Sequence, residues 1–183
     1  MRAADIPDDL TRVLATEEQI LGKLDEIAQQ VAADYAGKDI VLVGVLKGAV
    51  MVMADFARSL PFLAPMDWMA VSSYGAGTRS SGVVQIRKDL DTDIHDKHVL
   101  IVEDIIDSGL TLSWLLENFA ARGAASVEVF ALFRKPEAAR VAVPCRYVGF
   151  DIPNEFVVGY GLDYAERYRN LRDVAILAPH VYS

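Results

Sequence analysis

The stretch VLIVEDIIDSGLT, residues 99–111, indicates the class of fold, because a buried strand, a charged turn and the start of a helix follow one another within it. Residues 99–102 are apolar and mostly β-branched, which is typical of a strand covered on both faces. Glu103 and Asp104 come next, and a polar turn at residues 107–109 precedes a helical pattern. A strand that leads through a polar turn into a helix is the unit from which α/β proteins are built.

The same alternation extends to both sides of this stretch. Upstream, Thr16 and Gln19 form a potential capping box that starts a helical pattern ending at Gly37. Further strands are predicted at residues 40–46, 67–73, 127–133, 147–150 and 155–159, and further helices at residues 49–60 and 112–122. The spacing predicts an α/β fold with a mostly parallel central sheet flanked by helices. Ligands of such sheets bind at the carboxyl ends of the strands.

Residues 74–97 differ from the rest of the chain. Glycines and serines are frequent in the first part of this stretch, and charged residues are frequent in the second. This composition predicts a long loop, and a loop of such length inside a compact domain usually serves function.

Composition narrows the class of protein. The chain has 183 residues, enough for one domain, and 52% of them are hydrophobic, which predicts a substantial core. The formal net charge of −8 argues against a general nucleic-acid or anionic membrane surface. The single cysteine, Cys145, forms no internal disulfide. No apolar run reaches the length of a membrane helix, and the acidic N-terminus lacks the apolar stretch of a signal peptide, so we expect a soluble cytoplasmic protein.

The acidic turn has the residue types of a sugar-phosphate site. Unpaired carboxylates are costly to bury, so Glu103 and Asp104 after a buried strand suggest a polar ligand such as polyol hydroxyls or hydrated Mg²⁺. Ser108, Gly109 and Thr111 offer hydroxyls and backbone N–H groups at a helix N-terminus, which suit a phosphate monoester. Together they describe a ribose 5-phosphate. The alternative is that the turn only caps the helix and that both carboxylates are solvated.

Several segments resemble a known family. VLIVEDIIDSGLT resembles the 5-phosphoribosyl-1-pyrophosphate (PRPP) motif of type I phosphoribosyltransferases. LKGA at residues 46–49 is similar to the pyrophosphate loop of that family, and SSYG at residues 72–75 to the start of its mobile active-site loop. FDIP at residues 150–153 and FVVGYGLDY at residues 156–164 resemble its base-binding hood. The last run points to the branch that acts on 6-oxopurines.

The resemblance implies a fold and an activity. It implies a single phosphoribosyltransferase domain over residues 1–183, with a mobile loop at about residues 72–88 and a small C-terminal hood at about residues 134–172. The implied reaction transfers the phosphoribosyl group of PRPP to hypoxanthine or guanine and yields IMP or GMP and pyrophosphate, with Mg²⁺ as cofactor. It further implies a homodimer or homotetramer and a cis peptide between Leu46 and Lys47.

The resemblance also assigns roles to residues at the sugar and its phosphate. Glu103 and Asp104 match the residues that hold the ribose 2- and 3-hydroxyls, and they are candidate metal contacts. Asp107 matches a residue near purine N7, which makes it the candidate general base. The 5-phosphate cradle, which is part of the PRPP-binding turn, corresponds to Ser108, Gly109, Leu110 and Thr111, with no side-chain role for Leu110.

The remaining roles concern the pyrophosphate, the base and the loop. The pyrophosphate contacts match Lys47, Gly48 and Arg169. Asp163 matches a magnesium ligand at the base site. The implied base contacts are Lys135, as donor to the 6-oxo group, Phe156, as stacking ring, and Val157, through its backbone. Ser73 and Tyr74 match the pair that the family places over the substrate when the loop closes.

Two alternatives remain at the level of the sequence. One is a phosphoribosyltransferase that prefers xanthine, which the residues of the hood do not exclude. The other is a non-enzymatic, RNA-binding regulator on the same fold. Such a regulator requires a basic face, and the net charge of −8 speaks against one.

Overall fold

The computed structural model describes residues 1–73 and 84–182. Its larger sheet has six strands in the order β4-β3-β2-β5-β6-β7, and every neighbouring pair is parallel except β3 and β4. These strands are β2 (Ile40–Leu46), β3 (Met66–Ser73), β4 (Val84–Lys88), β5 (His98–Ile106), β6 (Ser126–Arg134) and β7 (Tyr147–Asp151). The mostly parallel α/β sheet predicted from the sequence is thereby confirmed.

Helices cover both faces of this sheet. The long helices are α1 (Glu17–Asp34), α2 (Val50–Ser59) and α3 (Leu110–Ala121). Alternate residues of β2 point to opposite faces, so Leu42 packs with α1 and α2 while Val41 and Val43 pack with α3. The core is therefore two apolar layers, and the apolar runs in the central strands follow from burial on both sides.

The first helix begins at the predicted capping box. The Thr16 hydroxyl accepts a hydrogen bond from the backbone N–H of Gln19, and the Gln19 side chain accepts one from the backbone N–H of Thr16. Each bond satisfies an N–H group that the helix leaves free. The pattern predicted from residue 20 onward is confirmed, with α1 ending one residue before Tyr35.

A smaller antiparallel sheet forms the hood. Its strand order is β1-β9-β8, with β1 at Leu10–Ala15, β8 at Val157–Val158 and β9 at Val174–Leu177. A short C-terminal helix, α4 (Pro179–Tyr182), follows β9. The sequence predicted a hood from the C-terminal part alone, whereas one of its three strands comes from the N-terminal segment. No helix in the part of the chain described here is long and apolar enough to span a membrane.

Three element predictions need correction. The loop predicted over residues 74–97 contains β4, which pairs with β3, while residues 74–83 lie outside the described part. The strand predicted to end before Glu103 continues to Ile106, because pairing with β6 runs on to Arg134. The strand predicted at residues 155–159 shortens to β8, since Gly159 takes a positive φ of 103° and turns the chain.

Candidate active site

Glu103 and Asp104 lie inside β5 near its carboxyl end, where Glu103 is buried and Asp104 is half-buried. Glu103 is only 7% exposed. Burial raises the pKa of Glu103 well above its usual range, and the neighbouring charge of Asp104 raises it further. Burial likewise raises the pKa of Asp104 to about 6, although the backbone N–H of Ile105 donates to its Oδ1 at 2.8 Å. Two adjacent acids with little access to water favour a ligand that brings hydroxyl donors or a cation to them.

Backbone from the loop after β2 approaches Asp104 closely, and backbone from the hood approaches that loop in turn. Gly48 follows β2, and a Cβ at this position would overlap the Asp104 carboxylate. Gly161 has a φ of 101°, and a Cβ there would overlap the carbonyl oxygen of Gly48. The two glycines therefore allow the loop after β2, strand β5 and the hood to meet at one point. The Leu46–Lys47 peptide next to this contact is cis, as the resemblance implied.

The turn after β5 forms a polar cradle. A cavity of about 190 Å³ is lined by residues that include Glu103, Asp107, Ser108, Gly109 and Thr111. Gly109 has a φ of 80°, and a Cβ there would lie 2.7 Å from a backbone carbonyl oxygen in the loop after β6. Helix α3 begins at the next residue, so its free N–H groups face the turn. The turn has the donors that bind a phosphate monoester.

Lys135 and Asp107 come together across the carboxyl ends of β5 and β6. The Nζ atom of Lys135 lies 3.3 Å from Oδ2 of Asp107. The lysine side chain is 9% exposed and that of Asp107 is 57% exposed. The lysine is held because its backbone N–H donates to the carbonyl oxygen of Ile106 at 2.9 Å. A buried ammonium group beside an open carboxylate presents a hydrogen-bond donor and an acceptor to one ligand.

Two of the predicted pyrophosphate residues, Lys47 and Arg169, meet at a third charged residue, Glu166. Its Oε2 atom lies 3.1 Å from Nζ of Lys47 and 3.4 Å from a terminal nitrogen of Arg169. Arg169 also pairs with Asp163 at 2.8 Å and donates to the carbonyl oxygen of Gly161 at 2.8 Å. The Lys47 side chain lowers the pKa of Glu166, so this carboxylate is ionised. The sequence did not single out Glu166, because its contact with Lys47 spans 119 positions.

Among the described residues, one buried nitrogen of Arg169 has no hydrogen-bond partner. Nε of Arg169 is buried and makes no hydrogen bond within the described residues. A buried donor left unpaired is costly, so an acceptor on a bound ligand would stabilise it. This observation supports an anionic ligand between Arg169 and the loop after β2.

Val157 is the first residue of β8 and Phe156 directly precedes it, but the two side chains lie in different environments. Phe156 is 40% exposed, whereas the Val157 side chain is buried in the core. Val157 pairs with Ile176 of β9, so its backbone is fixed by the smaller sheet. Phe156 therefore offers an accessible ring face, while Val157 can offer ligands only its backbone.

Of Ser73 and Tyr74, the two residues predicted to close over the substrate, the structure describes only Ser73. Ser73 is the last residue of β3 and pairs through its backbone with Val84. Tyr74 and the central part of the predicted mobile loop lie outside the described residues.

The carboxylates fit a magnesium ion that is shared with a substrate. Within residues 1–73 and 84–182, no group of three or more His, Cys, Asp or Glu side chains could by itself hold a metal. Mg²⁺ is usually bound through one or two carboxylates together with phosphate oxygens of the substrate. Asp163, Glu103 and Asp104 provide hard oxygen donors of this kind.

Comparison with known proteins supports the family resemblance of the sequence motifs. Residues 13–165 match the family described as "Phosphoribosyl transferase domain". The chain is 53% identical to a protein of Mycobacterium bovis named hypoxanthine-guanine phosphoribosyltransferase, over 96% of this chain and 90% of that protein. A protein of the same name from Streptococcus agalactiae is 49% identical, over 97% of this chain and 99% of its own length.

A solved structure is similarly close. The crystal structure of a hypoxanthine phosphoribosyltransferase from Staphylococcus aureus superimposes with a TM-score of 0.95 at 46% identity. The match covers 98% of this chain and 97% of the other. Similarity at this level extends over both sheets and the site between them.

Proposed function

The chain belongs to the phosphoribosyltransferase family, and we propose that it transfers the 5-phosphoribosyl group of PRPP to hypoxanthine or guanine. The products are IMP or GMP and pyrophosphate, and the role is purine salvage. The observation that carries this proposal is the pair of adjacent carboxylates near the end of β5, one buried and one half-buried, directly beside a phosphate cradle. This arrangement suits a sugar whose hydroxyls and 5-phosphate lie a few atoms apart.

The acidic turn acts on the sugar. Glu103 and Asp104 accept hydrogen bonds from the ribose hydroxyls, while Ser108, Gly109 and Thr111 hold the 5-phosphate. Loss of pyrophosphate from C1 leaves the ribose with oxocarbenium character, and the two carboxylates stabilise the positive charge that develops there. The displaced bond is that between C1 and the pyrophosphate oxygen, and the new bond joins C1 to N9 of the purine.

Lys135 and Asp107 act on the base. The ammonium group of Lys135 donates to the 6-oxo group of the purine, and Asp107 accepts the proton at N7. Adenine carries an amino donor at position 6, so it would place a donor against the Lys135 ammonium group. Phe156 provides the ring against which the base stacks, and the backbone of Val157 contacts the edge of the base.

Lys47, Gly48 and Arg169 hold the pyrophosphate. Lys47 and Arg169 carry charges opposite to that of the leaving group, and Nε of Arg169, which has no partner among the described residues, is a donor for it. One or two of Asp163, Glu103 and Asp104 would hold Mg²⁺ together with phosphate oxygens of the substrate. When bound, the ion neutralises charge on the pyrophosphate.

The oligomeric state is proposed from the family resemblance, and the cellular location from the composition of the sequence. We propose a homodimer or homotetramer, which light scattering coupled to gel filtration would measure directly. We place the enzyme in the cytoplasm, in keeping with Cys145 as a free thiol. No finding favours a xanthine-preferring enzyme or an RNA-binding regulator.

The proposal is tested with a panel of bases. Pyrophosphate release is followed with PRPP and Mg²⁺ for hypoxanthine, guanine, xanthine and adenine, and excess chelator provides the control. We expect turnover with hypoxanthine and guanine, little with adenine, and none once Mg²⁺ is removed. Equal rates with adenine, or full activity in chelator, would contradict the proposal.

A further inference from the structure

Three aromatic rings meet at the edge of the hood. The Tyr182 ring, in α4, stacks on Phe156 with a centroid distance of 5.0 Å and an interplanar angle of 26°. Tyr164 lies edge-on to Phe156 at 5.8 Å and contacts Tyr182 at 6.3 Å. Tyr164 directly follows Asp163, so the cluster links the C-terminal helix to both the stacking ring and the proposed metal ligand.

The backbone fixes the position of this cluster. The N–H of Leu177, the last residue of β9, donates to the carbonyl oxygen of Phe156 at 2.8 Å. Helix α4 follows β9 almost at once, and the N–H of Val181 donates to the carbonyl oxygen of Ala178 at 3.0 Å. The short connection between β9 and α4 places Tyr182 close to Phe156.

Tyr182 lies beside strands β1 and β9. It lines a cavity of about 290 Å³ with residues of those strands, among them Thr11, Arg12 and Ile176. The cavities lined by Asp107 and Ser108 do not include Tyr182. The tyrosine contacts the ring proposed to bind the base but lines neither of the cavities at the acidic turn.

We infer that Tyr182 is a positioning residue for the purine base. Its ring covers one face of Phe156 and holds that ring so that the other face can stack on the base. The inference rests on the proposed function, in which Phe156 is the stacking ring. Offset aromatic stacking contributes beyond area burial alone, and the same contact orients the ring. The C-terminal helix thereby becomes part of the base site without touching the reacting atoms.

The test compares variants of the full chain. Tyr182→Ala removes the ring, Tyr182→Phe keeps the ring but lacks the hydroxyl, and Tyr182→Leu keeps apolar bulk without an aromatic face. His180→Ala is the matched control, because it removes an exposed ring from the same helix. KM for hypoxanthine at saturating PRPP, KM for PRPP at saturating hypoxanthine, and kcat are measured for each variant.

We expect Tyr182→Ala to raise KM for hypoxanthine by about 3- to 10-fold, the range for loss of an aromatic pair. KM for PRPP should change by less than about twofold, and Tyr182→Phe and His180→Ala should match the wild type. Tyr182→Leu should resemble Tyr182→Ala, which keeps the test decisive if the alanine variant is unstable.

Several results would overturn the inference. An unchanged KM for hypoxanthine in both Tyr182→Ala and Tyr182→Leu would leave Tyr182 without a positioning role. A lower KM would mean that Tyr182 occupies the place of the base. An equal rise for PRPP would indicate a general loss of structure. Failure of the proposed function itself is distinguishable, because the wild-type enzyme would then show no activity with hypoxanthine.

Discussion

Asp107 combines a role expected from the sequence with a contact that only the structure shows. Its carboxylate is exposed, and the one ammonium group beside it in the described chain belongs to the buried Lys135. If Asp107 accepts the proton at purine N7, Asp107→Asn should lower kcat by about 10²- to 10⁴-fold, the usual effect of removing a general base. KM for PRPP should change little, because the phosphate cradle is retained. Steady-state kinetics with hypoxanthine would measure both.

A matched control distinguishes the loss of a catalytic group from the loss of one negative charge. Asp96→Asn makes the same change on an exposed turn, where the positive φ of 58° tolerates asparagine. This variant should keep the wild-type kcat. An Asp107→Asn variant that also kept it would reduce Asp107 to a residue of the turn before α3.

Glu166 competes with pyrophosphate for the same cations. Its carboxylate pairs with Lys47 and Arg169, so an incoming anion has to replace it at both. Glu166→Gln removes this competition, and we expect the inhibition constant of pyrophosphate to fall by about 2- to 5-fold, as for exposed ion pairs. The difference should shrink at high salt, because exposed charges are screened.

Product inhibition by pyrophosphate is the measurement for this variant. Glu26→Gln, which loses an ion pair with Lys23 on the surface of α1, serves as its control and should leave the inhibition constant unchanged. Weaker inhibition in Glu166→Gln would show instead that Glu166 positions the two cations for the ligand.

At the scale of elements, β5 carries a cost that is tied to its function. The pKa of Asp104 rises from 3.8 to about 6 on burial, which corresponds to about 3 kcal/mol at 1.36 kcal/mol per unit. The folded state therefore binds this proton more tightly than the unfolded state does. The destabilisation is present in full above pH 6 and disappears as the pH falls toward 3.8.

Removal of this charge should stabilise the protein in a pH-dependent manner. We expect Asp104→Asn to raise the free energy of unfolding at pH 7.5 by about 1–3 kcal/mol and by much less at pH 4. Urea denaturation at the two pH values would measure the difference. An Asp104→Asn variant less stable than the wild type at pH 7.5 would show that the ionised carboxylate stabilises the fold.

Gly48 lies against the Asp104 carboxylate. The loop after β2 and strand β5 can approach this closely because Gly48 has no side chain. A Cβ at Gly48 would overlap the carboxylate, so Gly48→Ala has to displace the loop after β2 or strand β5. A displacement of about 1 Å at a reacting centre can cost about 10²-fold in rate, and we expect a loss of that order in kcat/KM for PRPP.

Another glycine provides the control for this variant. Gly22 lies in α1, and a Cβ added there would meet open space, so Gly22→Ala should keep full activity. It should also stabilise the protein by roughly 0.5–1 kcal/mol, the difference between the two residues within a helix. Equal activity of Gly48→Ala and Gly22→Ala would contradict the proposed importance of the close approach.

The sequence predicted the elements whose patterns are local. The capping box of α1 and the apolar runs of β2 and β5 required no knowledge of distant contacts. Strand β1 was missed because most of its residues are at least partly exposed, which gives LTRVLA no clear alternation. Strand β4 was missed because it lies within a stretch rich in glycine, serine and charge, and its pairing with β3 is what fixes it.

At the scale of the whole molecule, the site lies where the two sheets meet. Gly161 of the hood contacts Gly48 in the loop after β2, and Glu166 bridges Arg169 of the hood to Lys47 in the same loop. The resemblance identified most of the residues at this junction by their motifs. It could not identify Glu166 or Tyr182, because their importance arises from contacts between segments far apart in the sequence.

A competition among bases tests whether the enzyme transfers the phosphoribosyl group to 6-oxopurines in preference to adenine. The enzyme is incubated with PRPP, Mg²⁺ and equal concentrations of hypoxanthine, guanine, xanthine and adenine, and the nucleoside monophosphates formed are quantified by mass spectrometry. We predict that IMP and GMP dominate and that AMP is nearly absent, because Lys135 offers a donor to the 6-oxo group. A product mixture dominated by AMP, or the absence of any nucleotide, would contradict the account.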